Sequence, residues 1–434
     1  MVESPRSGWR LYWSMPILAW ALYDFANTIF SSNIITIFFP FYLQETIGGS
    51  ETTNQIAGTF VTYTNALSSF FLVLLSPLYG VWIDRTGRKK AYLVPFTLAC
   101  IVSTLLMGVF AGWQTDAGIA GLPLSLAAVL LLFMIAKFAY NSCLVFYDAM
   151  ISDLGSDKQL PLISGFGVAV GYIGTLVGLT VYPLVGEGDF HRSFVPSALL
   201  FLLFSLPIFF LYKDPKPAPS AAAAKPSFLS GYRDIVLTFR EARLYRPVFL
   251  FMIAYFFFND AVATAITVMG VYAKAVIGFS TKQFILLYLV STVSSIVGSF
   301  AFGYVTRSVG AKRSVAIVAC VMIAAILLAS TAWNEPMFWT AGSLYGIAMG
   351  AMWVASRTMI VELTPEHKRG QFFGLFAFSG KVSSIVGPLL YGSITWALAE
   401  AGNLASRIAL GSLLVLVLIG LIVHVRVPYR SGAK

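Results

Sequence analysis

Long apolar stretches, separated by short charged or Pro- and Gly-containing segments, dominate the pattern of this chain. The hydrocarbon core of a bilayer is about 30 Å thick, so a helix needs about 20 apolar residues to cross it. Twelve stretches are long enough, which predicts an all-α integral membrane protein with twelve transmembrane helices. The predicted spans are 15–44, 55–83, 91–113, 122–152, 160–185, 193–212, 247–277, 282–306, 314–333, 336–362, 370–398 and 405–425.

Composition excludes a water-soluble protein. Only 11% of the 434 residues are charged, whereas 58% are hydrophobic; soluble domains carry roughly 25% charged residues. Two glycine-rich segments, 165–171 and 374–382, resemble nucleotide-binding loops but have the wrong spacing. Both fall in apolar spans, where glycine at every third or fourth position lets helices approach closely. We therefore expect neither an enzyme nor a bound cofactor.

Positive charge is distributed unevenly between the loops on the two sides of the membrane. The net charge is +10, and in the twelve-span layout twenty-two Lys and Arg residues fall on one side against four on the other. Basic residues concentrate in cytoplasmic loops, so both termini are expected in the cytoplasm and nucleic acid is not expected as a partner. The first span is too long for a signal peptide. We expect a multi-pass protein of the plasma membrane, with the vacuolar membrane as the open alternative.

The cysteine and histidine residues suggest no metal site. Cys100, Cys143 and Cys320 lie in three different spans, and the three histidines are far apart along the chain. An odd number of scattered thiols favours neither a disulfide framework nor a metal cluster.

One long interior loop divides the chain into two halves. Residues 213–246 begin with a Pro-, Ala- and Ser-rich stretch typical of a linker. We expect an N-terminal six-helix bundle at 1–212 and a C-terminal six-helix bundle at 247–434. Within the linker, apolar positions at spacings of three and four predict an amphipathic helix on the headgroups; they are Leu229, Tyr232, Val236 and Phe239, followed by Arg243.

The two halves are similar to each other. The segment 80–90 aligns with 303–313, and 151–154 aligns with 360–363. Further pairs are Tyr23 with Tyr255, Asn27 with Asn259, Gly165 with Gly374, Gly171 with Gly380, and Gly178 with Gly387. A duplicated six-helix unit is typical of secondary transporters.

The loop after the second span carries the most specific motif. Residues 80–90 read Gly-x3-Asp-Arg-x-Gly-Arg-Lys, which resembles the cytoplasmic loop of the major facilitator superfamily. Segments 20–27, 255–261, 356–358 and 371–374, together with 380–381 and 387–388, resemble the vacuole effluxer-like, or autophagy-related protein 22-like, branch. This resemblance implies two pseudo-symmetric bundles that work by alternating access. It also associates the eukaryotic member with amino-acid efflux from the vacuole.

Polar and ionisable residues within the spans are the candidates for the substrate or proton pathway, since such groups are costly inside a membrane unless they are paired or hydrated. Asp24, Asn27 and Ser31 share one helix face by spacing, as do Lys137, Asn141 and Asp148. Two interpretations stay open: these residues line a central cavity, or they form hydrogen bonds and ion pairs between helices. The full set is Asp24, Asn27, Lys137, Asn141, Asn259, Asp260, Arg357 and Lys381.

The motif loop and two acids at span ends are the candidate cytoplasmic gate. We expect Asp84 to accept from backbone donors at a helix N-terminus of the opposite half, and Arg88 to reach Asp153, when the cytoplasmic side is closed. Arg307 replaces the acid in the second half. The gate set is Gly80, Asp84, Arg85, Gly87, Arg88, Asp153 and Glu362.

The sequence leaves three functions open. The first is a monomeric exporter of amino acids or similar small zwitterions, since acids and bases are both available for a solute of two charges; proton coupling through Asp24 or Asp260 is an open part of it. The second is a multidrug or amphiphile exporter, which needs an aromatic cavity of the kind that Tyr23, Phe257, Phe258 and Trp353 offer. The third is a substrate sensor that does not transport.

Overall fold

The computed structural model describes residues 11–47, 51–113, 118–119, 122–185, 189–214 and 245–429. In this part of the chain, twelve helices are long and apolar enough to cross a membrane. The predicted number of spans is therefore confirmed. The predicted amphipathic helix around Val236 lies outside the described residues.

The first six spans follow one another with short connections. Residues Gly118–Ile119 and Leu122–Pro123 pair as two short antiparallel strands between the third and fourth spans. The fifth span is continued by the helical turns Leu179–Val181 and Tyr182–Val185, and Ile151–Asp153 and Phe190–Ser193 are 3-10 turns. The helices are Met15–Phe30 with Phe39–Ile47 (first span), Glu51–Thr86, Lys90–Ala111, Leu124–Met150, Leu160–Gly178 and Phe194–Leu211.

The last six spans are long, nearly continuous helices. Short 3-10 turns, Glu366–Lys368 and Ala399–Ala401, precede the eleventh and twelfth spans. The helices are Arg246–Tyr272, Thr281–Val309, Ala311–Thr331, Glu335–Leu363, Arg369–Ala397 and Asn403–Val425.

The first span of each half contains a π-helical segment. In the first span, Ser31–Phe38 connects the two α-helical parts, and in the seventh span, Ala273–Ile277 ends the helix. Within this segment, Thr36 Oγ1 donates to the Ser31 carbonyl at 2.9 Å. The helix period therefore changes at Ser31, so the face shared by Asp24 and Asn27 does not continue regularly beyond it.

The chain forms two compact units. The first unit comprises Met1–Met150 and Val170–Ala224, and the second comprises Ile151–Ala169 and Lys225–Lys434. The division near Ala224 falls within the expected linker, 213–246, while the first part of the fifth span belongs to the second unit. The assignment of bundles to 1–212 and 247–434 stays a prediction.

Glycines bring helices into close contact within each unit, as their spacing predicts. In the first unit, a methyl group on Gly174 would overlap the Phe25 backbone, and in the second a methyl group on Gly165 would lie 2.9 Å from the Gly303 Cα atom. Small residues at such contacts let two backbones approach, which stabilises helix pairs in lipid. The packing interpretation is confirmed at Gly165, whereas Gly174 makes the same kind of contact outside the two segments that the sequence singled out.

Candidate functional site

Asp24 lies on the first span where that helix approaches the fifth. Its side chain is partly buried, and a methyl group on Gly171 would lie 2.8 Å from Asp24 Oδ2. One turn later, Thr28 Oγ1 donates to the Asp24 carbonyl at 2.8 Å. The carboxylate therefore lies directly against Gly171, at a point where the fifth helix carries no side chain.

Asn27 and Asn141 are buried in the first unit, each 1% exposed. Among the described residues, neither the Oδ1 nor the Nδ2 atom of Asn27 has a hydrogen-bond partner, and neither does the Nδ2 atom of Asn141. Lys137, one turn before Asn141, is partly exposed. The side chains of Asn27 and Asn141 are therefore buried, whereas the side chain of Lys137 keeps partial exposure.

Asn259 connects the seventh span to the eleventh. Its Nδ2 donates to the Gly380 carbonyl at 2.7 Å and to Ser383 Oγ at 2.8 Å, while its Oδ1 accepts from the Tyr255 hydroxyl at 3.3 Å. These bonds satisfy the whole amide group. At this position the structure favours the interpretation as a hydrogen-bond cluster between helices.

Asp260 makes a second connection between the same two spans. It is fully buried, and its Oδ1 accepts from the backbone nitrogen of Gly387 at 2.7 Å. A hydrogen bond from a backbone N–H to a carboxylate is charge-assisted and stronger than one between neutral groups. Asn259 and Asp260 therefore both contact the eleventh helix, at points two turns apart.

The basic residues of the second unit differ in exposure. Arg357 on the tenth span is 7% exposed, beside the fully buried Ser356. Lys381 on the eleventh span is partly exposed, and its carbonyl accepts from Ser384 Oγ at 2.9 Å. A guanidinium buried to this degree is expensive in a membrane, which favours a functional or ion-pairing role for it.

The four aromatic residues considered for an amphiphile cavity do not share one environment. Tyr23 is fully buried, and its hydroxyl lies 2.5 Å from Thr97 Oγ1. Phe258 is fully buried against His424. Phe257 and Trp353 are partly exposed. Tyr23 and Phe258 therefore pack inside their own units.

The motif loop ends the second span at a glycine. Gly80 is buried in that helix, whereas Gly87 has a φ of 66° and donates its N–H to the Ile83 carbonyl at 2.7 Å. A left-handed residue of this kind closes a helix, and glycine adopts it without strain. Asp84 and Arg85 are partly buried, and Arg88 is exposed with its backbone nitrogen 3.3 Å from Thr86 Oγ1.

The expected partners of this gate remain predictions. Asp153 is part of the second unit, in the turn Ile151–Asp153, and Arg88 is part of the first. Glu362, at the end of the tenth span, accepts from the Tyr429 hydroxyl at 2.6 Å. That contact was not expected from the sequence, and it connects the tenth span to the segment after the twelfth.

Asp214 and Lys90 hold the end of the sixth span against the start of the third. Asp214 Oδ1 accepts from the backbone nitrogens of Lys89 and Lys90 at 2.9 and 2.8 Å. Lys90 Nζ donates to the carbonyls of Tyr212 at 2.5 Å and Phe209 at 3.2 Å. An acid thus caps a helix N-terminus and a cation caps a helix C-terminus, both favourable with the helix dipoles.

Lys312 caps the C-terminal end of the twelfth span in the second unit, as Lys90 caps the end of the sixth in the first. It follows Gly310, whose φ is 87°, and its Nζ donates to the carbonyls of Val425 at 3.0 Å and Val427 at 2.7 Å. His424 Nε2 lies 2.8 Å from the Lys312 carbonyl. The aligned motifs therefore share a structural role, a lysine that caps the last span of its half, which the alignment alone did not reveal.

Two further polar contacts escaped the sequence analysis. Asn33 Nδ2 donates to the Gly178 carbonyl at 2.8 Å and to Ser197 Oγ at 3.0 Å, joining three spans of the first unit. In the second unit, Arg369 Nη2 lies 3.7 Å from Asp157 Oδ1. The only feature of the sequence that could have indicated the Asn33 contacts is an asparagine within an apolar span. The loop charges do not indicate that Arg369 pairs with Asp157.

Known sequences similar to this chain include an MFS-type transporter and autophagy-related proteins. Residues 156–434 match the family described as Vacuole effluxer Atg22 like. The uncharacterized MFS-type transporter YxiO of Bacillus subtilis (strain 168) is 26% identical, with 95% of each chain covered. Autophagy-related protein 22-1 of Aspergillus niger is 24% identical over 54% of this chain and 42% of its own length.

Solved structures similar to this one share its fold. The human organic anion transporter MFSD10 has a TM-score of 0.73 at 17% identity, with 96% of this chain and 100% of that chain covered. The MFS proton:xylose symporter XylE has a TM-score of 0.69 at 16% identity, with 95% and 94% covered. At these identities the likeness shows the fold alone, the twelve-helix fold of the major facilitator superfamily.

Proposed function

The chain belongs to the vacuole effluxer Atg22-like family of membrane transporters, and we propose that it exports amino acids or similar small zwitterions by alternating access. That it is a transporter for a small molecule, and not an enzyme, follows from the family and the fold. The name of the family describes efflux, which supports the proposed direction.

The observation that carries the proposal is the presence of ionisable side chains of both signs within the spans. Asp24 and Lys137 are partly exposed in the first unit, and Lys381 is partly exposed in the second, where Arg357 is nearly buried. Charged groups inside a membrane protein mark substrate or ion pathways, since their burial is costly. A zwitterion needs one partner of each sign, and this set supplies both.

Arg357 is the proposed ligand of the solute carboxylate, with Lys381 as the second cation. The planar guanidinium binds two carboxylate oxygens at once, which an ammonium cannot do. Asp24 is the proposed partner of the solute ammonium group because it keeps partial exposure, whereas Asp260 is fully buried on Gly387. Proton coupling, if present, is proposed to run through one of these two acids.

The distribution of basic residues between the loops supports a proposal for the membrane and the orientation of the protein. We propose a monomer in the plasma membrane with both termini in the cytoplasm, supported by the basic residues on one side of the twelve-span layout. A vacuolar membrane is the alternative that the names of the fungal relatives raise. Labelling of single cysteines placed after Val425 and in the 118–123 hairpin, in intact cells, tests the orientation.

Transport in reconstituted liposomes tests the function. Purified protein is screened for counterflow of a panel of amino acids, with and without a pH gradient. Counterflow of a neutral amino acid supports the proposal, and counterflow of apolar amphiphiles alone overturns it. Binding of an amino acid without any counterflow would instead identify a sensor.

A further inference from the structure

Asn27 in the first span is a buried amide whose polar atoms the described residues do not satisfy. It is 1% exposed, and neither of its polar atoms has a hydrogen-bond partner in the described residues. Asn141 in the fourth span is equally buried, with Nδ2 unpaired in the same part of the chain. Buried polar groups in native proteins are nearly always hydrogen-bonded, so two such amides in one unit require an explanation.

The two amides lie at the same level on the first and fourth spans. Two ring contacts set the register: Trp20 stacks on Tyr147 with centroids 4.7 Å apart, and Phe30 contacts Tyr140 at 5.0 Å. Residue numbers rise along one helix as they fall along the other, so the helices are antiparallel. The same register places Asn27 level with Asn141, between the two ring contacts.

Asn259, the counterpart of Asn27 in the second half, shows that an asparagine at this position of the repeat can be fully hydrogen-bonded. Asn259 makes three hydrogen bonds through its side chain, to Tyr255, Gly380 and Ser383. In the first unit, Gly171 is the counterpart of Gly380, but Asp24 lies against it instead of Asn27. Asn27 therefore faces away from the fifth span, toward the ring contacts with the fourth.

The amide atoms of Asn27 and Asn141 that lack partners among the described residues determine which chemical groups can bind there. Asn27 offers one acceptor and two N–H donors, and Asn141 adds two more donors. We infer that Asn27 and Asn141 form a specificity subsite that hydrogen-bonds a neutral polar group of the solute, a hydroxyl or a carboxamide. This inference rests on the proposed function, because it takes the solute to be an amino acid.

Unpaired buried amides select strongly against an apolar solute. A site built to form hydrogen bonds rejects an analogue that lacks them, since its own polar groups then stay unpaired. Asp24 lies one turn from Asn27, and Lys137 lies one turn from Asn141, on opposite sides of the amide level. Asp24, the proposed partner of the solute ammonium group, is partly exposed, so that group of an amino acid can bind beside the subsite.

Leucine substitutions test, in the absence of solute, whether the side chain of Asn27 lacks hydrogen-bond partners. Leucine has the branched shape of asparagine without its polar atoms. Asn27→Leu should keep or raise the melting temperature of the purified protein, because it removes an unpaired buried group. Asn33→Leu is the matched control in the same span: it removes the side-chain hydrogen bonds to Gly178 and Ser197 and should lower the melting temperature. An equal loss in both variants overturns the inference.

Competition in the counterflow assay tests the specificity. The wild type should prefer serine to alanine, and glutamine to norleucine, by about tenfold or more. Asn27→Leu and Asn141→Leu should each reduce that ratio about tenfold, whereas Asn33→Leu should leave it unchanged. Unchanged ratios in both variants, or no preference in the wild type, overturn the subsite while the proposed function stands. No counterflow of any amino acid overturns the proposed function and the solute class of the subsite, whatever the melting temperatures show.

Discussion

Asp260 Oδ1 accepts a hydrogen bond from the backbone nitrogen of Gly387 at 2.7 Å, which joins the seventh span to the eleventh. A methyl group on Gly387 would lie 2.5 Å from the same oxygen, so this contact requires glycine. An asparagine at position 260 retains an oxygen that can accept this bond. The charge of Asp260 can therefore be removed while its contact with the eleventh helix is kept.

If transport is proton-coupled, we expect Asp24→Asn or Asp260→Asn to abolish accumulation driven by a pH gradient. Exchange between equal pools of solute should survive in Asp260→Asn, since exchange needs binding and conformational change but no net proton movement. Asp24→Asn also removes the proposed partner of the solute ammonium group, so its exchange is measured at saturating solute. Both assays are run on the same reconstituted variants. Full gradient-driven accumulation in both variants would show that neither acid carries the proton.

Arg357→Lys is expected to weaken solute binding about tenfold or more. The positive charge is kept, but the planar arrangement that binds two carboxylate oxygens is lost, and tenfold corresponds to about 1.4 kcal/mol. Competition in the counterflow assay measures the change. The ester or amide of the solute should bind the wild type poorly; equal binding of ester and free acid would contradict the assignment of Arg357.

Asp84→Asn is expected to shift the protein toward the inward-open state. The charge-assisted bonds proposed for this carboxylate are worth about 1.5–3 kcal/mol and would exist only when the cytoplasmic side is closed. A cysteine reporter in the cytoplasmic cavity should react faster in the variant. Asp189→Asn, which alters an exposed pair with Arg192, serves as the control. Unchanged labelling would remove Asp84 from the gate.

Tyr429→Phe is expected to change the alkaline stability of the protein. Burial, and then the hydrogen bond to Glu362, raise the pKa of the Tyr429 phenol. Because the unfolded phenol titrates near pH 10, the folded chain keeps its proton where the unfolded chain loses it. This stabilisation is complete below about pH 10 and is lost as the pH rises further.

Melting curves between pH 8 and 11 check this expectation. The wild type should lose more stability above pH 10 than Tyr429→Phe, which should itself be about 1 kcal/mol less stable at neutral pH. Tyr182→Phe, which removes an exposed phenol, is the control. Parallel curves for the wild type and Tyr429→Phe would show that this phenol does not contribute to alkaline unfolding.

Much of the architecture follows from the sequence alone. The twelve spans were predictable because lipid imposes both a minimum length and an apolar composition on every crossing helix. The close contact at Gly165 was equally predictable, since glycine repeats along one helix face have few other uses in a membrane. These features depend on local composition, which needs no knowledge of the neighbouring helix.

Only the tertiary structure distinguished the two repeat-related asparagines. In the second half, Tyr255 and Asn259 lie against Gly380, whereas in the first half Asp24 and Thr28 lie against Gly171. The packing register thus differs by one residue, which turns a helix face by about 100°. One residue of rotation gives Asn259 three hydrogen bonds and leaves Asn27 with none among the described residues. Sequence fixes which residues share a helix face, but the rotation of one helix against another depends on all the side chains at their contact.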